Sequence, residues 1–367
     1  MKENQTSNNF CIIMAGGIGS RFWPLSRTVK PKQFLDILGI GRTLLQQAYD
    51  RFTRIIPKEN FIVVTNVKYQ KLVLEQLPDL EEDQILLEPL RRNTAPCIAY
   101  AIYKIKTKHP DANLVVAPSD HIILKEEEFI TQINNGLAFA EENNALLTLG
   151  IKPNRAETGY GYIQVKKKVE FKNLDNLYKV KTFTEKPDEE MARIFVDSGE
   201  FFWNSGIFIW SLSSIAQAFD EHLSNVSSLF EKGIKLYNTR DEKHFIKKTY
   251  SECQGISVDY GILEKAKNVY VLTADFGWSD LGTWSSLYEN KEKDTDGNVI
   301  NGNNILIYDS NNCIIDISDE KVAVIHGLEG YIIAESNDTL MICKKEDEDQ
   351  IKKFVTDVRI NKGDSLV

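Results

Sequence analysis

The chain has 367 residues, enough to bury a large core and to form more than one domain, and its composition is that of an ordinary globular protein. Its formal net charge of -9 argues against nucleic acid or an anionic membrane surface as partner. The five cysteines, Cys11, Cys97, Cys253, Cys313 and Cys343, are scattered without C-x-x-C spacing and mostly sit in apolar runs, so they read as free core thiols. No apolar stretch is long enough for a bilayer, and the polar N-terminal residues do not resemble a signal peptide, which leads to the expectation of a cytoplasmic protein.

In chain order, Phe10 to Ala15 reads as a buried strand that runs into Gly16, Gly17 and Gly19. Glycines let the backbone turn and bring amide N–H groups close to a ligand. Arg21 adds a planar fork suited to phosphate oxygens, and Lys32 a second cation held by Pro31. Together they form an anion cradle that suits a nucleoside triphosphate. The spacing is neither a Walker A loop nor G-x-G-x-x-G, because Phe22 stands where a third small residue would pack. Arg21, Arg27, Lys30 and Lys32 make a local basic cluster on an acidic protein, which suits a small anionic substrate.

Further along, Phe61–Thr65 is a strand, Thr94–Lys108 a helix, Asn113–Pro118 a strand, Phe129–Asn143 a helix and Ala145–Gly150 extended. This alternation predicts an α/β fold with a doubly wound, mainly parallel sheet, with ligands at the carboxyl ends of its strands. Gly159–Val165, Val180–Glu185, Gly206–Trp210 and Val269–Ala274 are further strands, with helices opening at Pro187 and Ser213. The large domain is expected to span residues 1–292. From 293 to 367, short apolar runs separated by Asn, Asp and Gly turns predict a small C-terminal all-β module, either a β-helix or a compact barrel. A terminal helix is expected from Glu346 to Val358.

Several polar residues at strand ends suggest chemistry. Asp120, after a strand, and Asp280, in Gly277–Gly282, are suited to hold Mg²⁺ near phosphates, although either could serve only a turn. Lys186 ends a strand beside Glu185 and is a candidate for a second phosphate. Asn204 can bind sugar hydroxyls, and Gly161 permits a backbone approach to a sugar ring. Glu88 to Thr94 could read a base edge, with Asn93 or Thr94 also a helix cap. Asp259 is open between a sugar contact and a helix cap. The five histidines lack metal-ligand spacing, and no G-x-S-x-G nucleophile setting occurs.

Gly16-Gly-Ile-Gly-Ser-Arg21 through Pro31-Lys32, and Phe183-Thr-Glu-Lys-Pro187, resemble the signatures of sugar-nucleotide pyrophosphorylases. Phe22–Arg27, Pro31–Phe34, Arg92–Pro96, Pro118–His121 and Trp203–Gly206 resemble the branch that joins GTP to mannose 1-phosphate. The likeness runs from about Phe10 to Leu281. It implies a GT-A-like nucleotidyltransferase domain, a small β-helical domain, Mg²⁺ as cofactor, release of pyrophosphate and a homodimer. Under it, Arg21 and Lys32 serve the triphosphate, Asp120 and Asp280 the metal, and Lys186 the sugar phosphate. Glu185, Asn204, Gly161 and Asp259 fall to the sugar, and Gly16, Gly17, Gly19, Glu88, Asn93 and Thr94 to the nucleotide. Bifunctional relatives carry an added isomerase domain of the cupin type, which this sequence does not reach, so isomerase activity is not expected. The competing readings are a pyrophosphorylase for another base and sugar, a regulatory subunit that binds GDP-mannose without turnover, and a glycosyltransferase. The last is disfavoured because no D-x-D follows a strand in the first domain.

Overall fold

The structure is a computed structural model that describes residues 8–172 and 174–367. In chain order its main elements are β1 (Asn9–Ala15), α1 (Leu44–Phe52), β2 (Phe61–Asn66), α2 (Gln70–Gln76), β3 (Ile85–Glu88), α3 (Thr94–Lys106), β4 (Asn113–Pro118), β5 (Ile122–Ile123), α4 (Glu126–Glu142) and β6 (Leu146–Ile151). There follow β7 (Gly161–Lys168), β8 (Leu177–Glu185), α5 (Glu189–Ser198), β9 (Phe201–Ser211), α6 (Leu212–His222), α7 (Ser224–Glu231), α8 (Glu242–Glu252), β10 (Val269–Ala274), β11 (Trp278–Ser279) and α9 (Trp284–Asn290). The last stretch holds β12 (Val299–Asn301), β13 (Ile305–Tyr308), β14 (Ile314–Asp316), β15 (Ala323–His326), β16 (Tyr331–Ser336), β17 (Thr339–Lys344) and α10 (Ile351–Lys362).

The chain condenses into two compact units. The first comprises the described residues through Gly16, Ala48–Ser119 and Ile123–Trp278. The second comprises Gly17–Gln47, Asp120–Ile122 and Ser279–Val367. The second unit also takes in the glycine-loop segment and the turn at Asp120.

In the first unit, nine strands form a sheet of order β3-β2-β1-β4-β9-β6-β10-β8-β7. Parallel pairing joins β3, β2, β1 and β4, and also β6 with β10. The long β9 runs antiparallel between β4 and β6, and β7 and β8 form an antiparallel edge. The parallel strands are apolar on both faces, as burial on both sides demands. Their core includes Ile12, Val64, Leu114, Phe208 and Trp210. The strand order reverses beside β1, whose end lies in register with that of β4, Met14 opposite Pro118. This is the switch point at which such sheets bind ligands.

Two elements differ from their sequence-based bounds in ways that matter for the site. The strand expected over Gly206–Trp210 begins at Phe201, so Asn204 lies within a strand. Gly206 adopts φ +70° there, and the pairing with β6 shifts register between Thr148 and Gly150, a bulge that re-aims Asn204. The strand expected from Gly159 begins at Gly161, leaving Gly159 and Tyr160 in the preceding turn.

In the second unit, β12, β14 and β16 stack in parallel, β13 pairs parallel with β15, and β17 closes antiparallel on β16. Rungs of two parallel ladders are the β-helical alternative of the two that the sequence left open. Ile315, Ile333, Ile325 and Cys313 fill the space between the ladders. On the other face Ile314, Ile332 and Met341 pack with Phe22, Trp284, Ile351 and Val355. The terminal helix begins at Ile351, five residues later than expected, because Lys345–Gln350 forms a 3₁₀ turn first. All five cysteines are buried and free.

The corner between β12 and β13 turns at Gly302, with φ +132°. A Cβ there would stand 2.3 Å from the Ile317 carbonyl oxygen. Gly302→Ala is expected to cost about 2 kcal/mol or more, from strain and overpacking together, read as a shift in the urea midpoint.

Candidate active site

The glycine loop folds through local rules in the second unit. Gly19 takes φ +56° ahead of the 3₁₀ turn Ser20–Phe22, and a Cβ on it would meet Lys32 Cγ at 2.8 Å. Gln33 Nε2 donates to the Gly17 carbonyl at 2.9 Å, and Ser26 Oγ donates to the Ile18 carbonyl at 3.1 Å. Arg21 is half-buried, and its Nε is enclosed without a hydrogen-bond partner. A buried donor left in that state is a place for an oxyanion.

Lys32 is buried, and its ammonium is saturated. It lies 2.9 Å from Asp120 Oδ2 and donates to the carbonyls of Asp280 at 3.0 Å and Leu281 at 2.9 Å. A lysine has three donors, and all three are engaged. Burial alone would raise the Asp120 carboxyl, but the charge of Lys32, followed by that of His121, holds it below its ordinary value. The Asp280 carboxylate accepts the Gly282 N–H at 2.9 Å. Sequence-predicted Gly17, Gly19, Arg21, Lys32, Asp120 and Asp280 thus belong to one unit, and Gly19, Arg21, Lys32 and Asp280 line a cavity of about 280 Å³.

The donors at this place fit a hard divalent cation. They are carboxylate oxygens, Asp120 is held ionised, and the Lys32 ammonium touches the Asp120 carboxylate and the Asp280 backbone. No cluster of three or more His, Cys, Asp and Glu suited to a metal occurs among the described residues. A site with one or two carboxylates and several waters is how Mg²⁺ beside phosphates is commonly held.

The first unit carries two further groups. In one, Gly16 lies against Glu88, with a Cβ position 3.2 Å from Glu88 Oε2. Burial pushes the Glu88 carboxyl up to about 7, opposed by the hydrogen bond from Tyr250 and by the Arg91 charge. The Tyr250 hydroxyl donates to Glu88 Oε1 at 3.1 Å. Asn93 sits at φ +68° and caps α3 by accepting the Thr94 N–H at 2.8 Å. The Thr94 hydroxyl accepts the Val258 N–H at 2.9 Å, which ties this turn to the segment before Asp259. For Asn93 and Thr94, the capping and tethering roles are therefore real.

In the other group, Gly161 packs so closely on Glu185 that a Cβ would fall 2.5 Å from Glu185 Oε2. Glu185 Oε1 pairs with Lys186 Nζ at 2.9 Å. Burial works against the Lys186 ammonium, but Glu185 and then Asp259 keep its pKa above the ordinary value. Asn204 Nδ2 donates to Asp259 Oδ1 at 2.9 Å, while the Thr148 hydroxyl donates to Asn204 Oδ1 at 2.9 Å. Burial, and then the Glu185 charge, push the Asp259 carboxyl up to about 7. Asp259 is the first residue of a π-helical turn, Asp259–Leu263. Tyr160 stacks edge-on with Trp203 at 5.1 Å and with Trp278 at 5.2 Å, an aromatic group one residue from both Gly161 and Asn204.

Sequence reasoning did not single out Thr148, Tyr250, Tyr160 or Lys352, the last of which lines the cavity with Arg21, Lys32 and Asp280. Thr148 carried a signal, as the one hydroxyl in the apolar strand Leu146–Ile151, and so did Tyr160, between the two glycines of the predicted turn. Tyr250 and Lys352, on remote helices, had none.

The raised Glu88 carboxyl fixes a pH dependence. The folded form keeps a proton that the unfolded chain loses near 4.5, so this contribution to stability is full at low pH and fades as pH rises through about 7. Wild type should therefore lose more unfolding free energy than Glu88→Gln between about pH 5 and about pH 8, measured by urea titration. Parallel pH profiles would contradict the buried-carboxyl account.

The nucleotidyl transferase family matches residues 10–297, and the MannoseP isomerase/GMP-like beta-helix domain matches residues 302–358. The chain is 35% identical over 351 residues to a mannose-1-phosphate guanylyltransferase of Escherichia coli, covering 94% of this chain and 74% of that protein. It is also 35% identical over 350 residues to the alginate biosynthesis protein AlgA of Pseudomonas aeruginosa, covering 95% and 71%. A solved mannose-1-phosphate geranyltransferase from Thermus thermophilus superposes with a TM-score of 0.83 at 27% identity, over 96% of this chain and 99% of that one. Among the described residues no helix is long and apolar enough to cross a membrane. With both family models matched in order along the chain and relatives 35% identical over nearly all of it, the chain belongs to the mannose-1-phosphate guanylyltransferase family of nucleotidyl transferases.

Proposed function

We propose that the protein makes GDP-mannose and pyrophosphate from GTP and mannose 1-phosphate. The observation that carries this reading is the Lys32 ammonium joined to Asp120 and to the backbone of Asp280, in the unit where Arg21 Nε is buried without a partner. That arrangement supplies what nucleotidyl transfer needs and little else. The nucleophile is a phosphate monoester with a second pKa of about 6, already ionised at neutral pH, so no general base is required. Its oxygen forms a bond to the α-phosphorus of GTP while the bond to the bridging β-phosphate oxygen breaks and pyrophosphate departs. Catalysis then rests on positioning and charge neutralisation.

In this reading Arg21 and Lys32 receive the triphosphate, with Gly17 and Gly19 giving backbone access. Asp120 and Asp280 would hold Mg²⁺, which would neutralise phosphate charge. Lys32 keeps the Asp120 carboxylate ionised, as a cation ligand there would need to be. Gly16, Glu88, Asn93 and Thr94 border the nucleoside. Gly161, Glu185, Asn204 and Asp259 hold the sugar, and Lys186 its phosphate. A division into a transferase domain over 1–292 and a β module over 293–367, a homodimer, a cytoplasmic location and the absence of nucleic-acid and membrane partners complete the proposal.

An endpoint pyrophosphate assay with mannose 1-phosphate against each of the four common NTPs tests it. GTP should support release well above ATP, CTP and UTP, and equal release from all four would overturn the base assignment. Arg21→Ala and Asp120→Asn should each lower turnover by about 10²- to 10³-fold with unchanged circular dichroism. Near-normal rates in either would remove that residue from the site.

A further inference from the structure

The phosphate cavity of the second unit is not walled by the glycine-loop segment and the Asp280 turn alone. Lys352, from α10 at the other end of the sequence, lines it with Arg21, Lys32 and Asp280. The placement is enforced by packing. Ile351 and Val355, on the buried face of α10, belong to the same apolar cluster as Phe22 and Trp23, which follow Arg21 in the chain. Trp23 Nε1 donates to the Leu366 carbonyl at 2.8 Å. A guanidinium nitrogen of buried Arg27 donates to the Ser336 carbonyl at 2.8 Å and to Asp338 Oδ1 at 2.7 Å, in the turn between β16 and β17. The loop that carries Arg21 is thus fastened to the C-terminal module at three places.

The charges on the cavity wall are unequal in what they have left to give. Lys32 is neutralised by Asp120, and its donors are filled. Asp280 caps Gly282. Arg21 keeps an unpartnered buried Nε. Lys352 is exposed, and no ion pair holds its ammonium among the described residues. The acidic residue nearest its helix start that faces another segment, Glu348, is engaged by the Ser285 N–H at 3.0 Å. Two cations with unspent charge therefore face one small cavity, one from each end of the chain.

We propose that Lys352 binds the diphosphate end of the nucleotide, and the pyrophosphate that leaves, so that the C-terminal module completes the nucleotide site. This rests on the reading of the site as a nucleotidyl transferase centre. A lysine suits the role, because a point charge on a flexible stem follows phosphate oxygens as the leaving group separates.

Calorimetric titration of inorganic pyrophosphate into the full chain tests this without requiring turnover. Lys352→Met should weaken pyrophosphate binding by about fivefold at low salt, with the difference shrinking as ionic strength rises, and Lys352→Arg should restore it. Thermal midpoints of the variants should match wild type. In forward kinetics Lys352→Met should raise KM for GTP and leave KM for mannose 1-phosphate unchanged. Equal pyrophosphate affinity in wild type and Lys352→Met, or a wild-type chain that binds no pyrophosphate, overturns the inference. A wild-type chain that binds pyrophosphate through Lys352 but releases none from any NTP and mannose 1-phosphate would instead overturn the transfer reaction.

Discussion

One ammonium group organises the second unit around the glycine loop. Lys32 Nζ is held by a carboxylate from the turn after β4 and by two successive carbonyls that precede α9, so it joins three segments that are far apart in sequence. A buried lysine without such partners would be costly. Together they are mutually supporting: Asp120 gives the lysine its counter-charge, and the lysine keeps Asp120 ionised against its burial. The close approach of Gly19 to the Lys32 stem follows from the same constraint, since a side chain at Gly19 would displace the ammonium from its three acceptors.

The group around Asn204 and Asp259 shows a different use of burial. The bulge at Gly206 turns Asn204 toward Asp259, and Thr148 fixes which way the amide faces by donating to its oxygen. The Glu185 charge adds to burial in raising the Asp259 carboxyl, and the Lys186 charge opposes both. A carboxyl near neutrality and an oriented amide offer both donors and acceptors, which is what recognition of vicinal hydroxyls requires.

Much of this architecture was legible in the sequence, for reasons that differ from part to part. The parallel strands were readable because burial on both faces forces continuous apolar runs such as Cys11–Ile13 and Leu114–Ala117. The polar residues gathered around Lys32, and around Glu185 and Asp259, stood out because they sit at strand ends or in glycine-bearing turns. The antiparallel course of β9 was not readable, because its direction is set by its neighbours β4 and β6 rather than by its own pattern. Its early start at Phe201 was hidden by Asn204 and Gly206, which look like turn residues until the bulge accounts for them. The contribution of α10 was invisible for a simpler reason: Lys352 is one of several lysines on an ordinary amphipathic helix, and only packing selects it.

The fastening of Trp23 and Arg27 has a consequence for biosynthesis. Arg27 waits for an acceptor 309 residues downstream, and Trp23 for one 343 residues downstream. A polypeptide made from its N-terminus exposes the glycine turn early, whereas the groups that fix its shape are translated more than 300 residues later. The first unit's β1 to β4 can pair long before that. Nascent chains can therefore form the β1 to β4 scaffold well before the glycine turn gains its anchors, and a chain cut ahead of Ser336 would leave that turn unfastened.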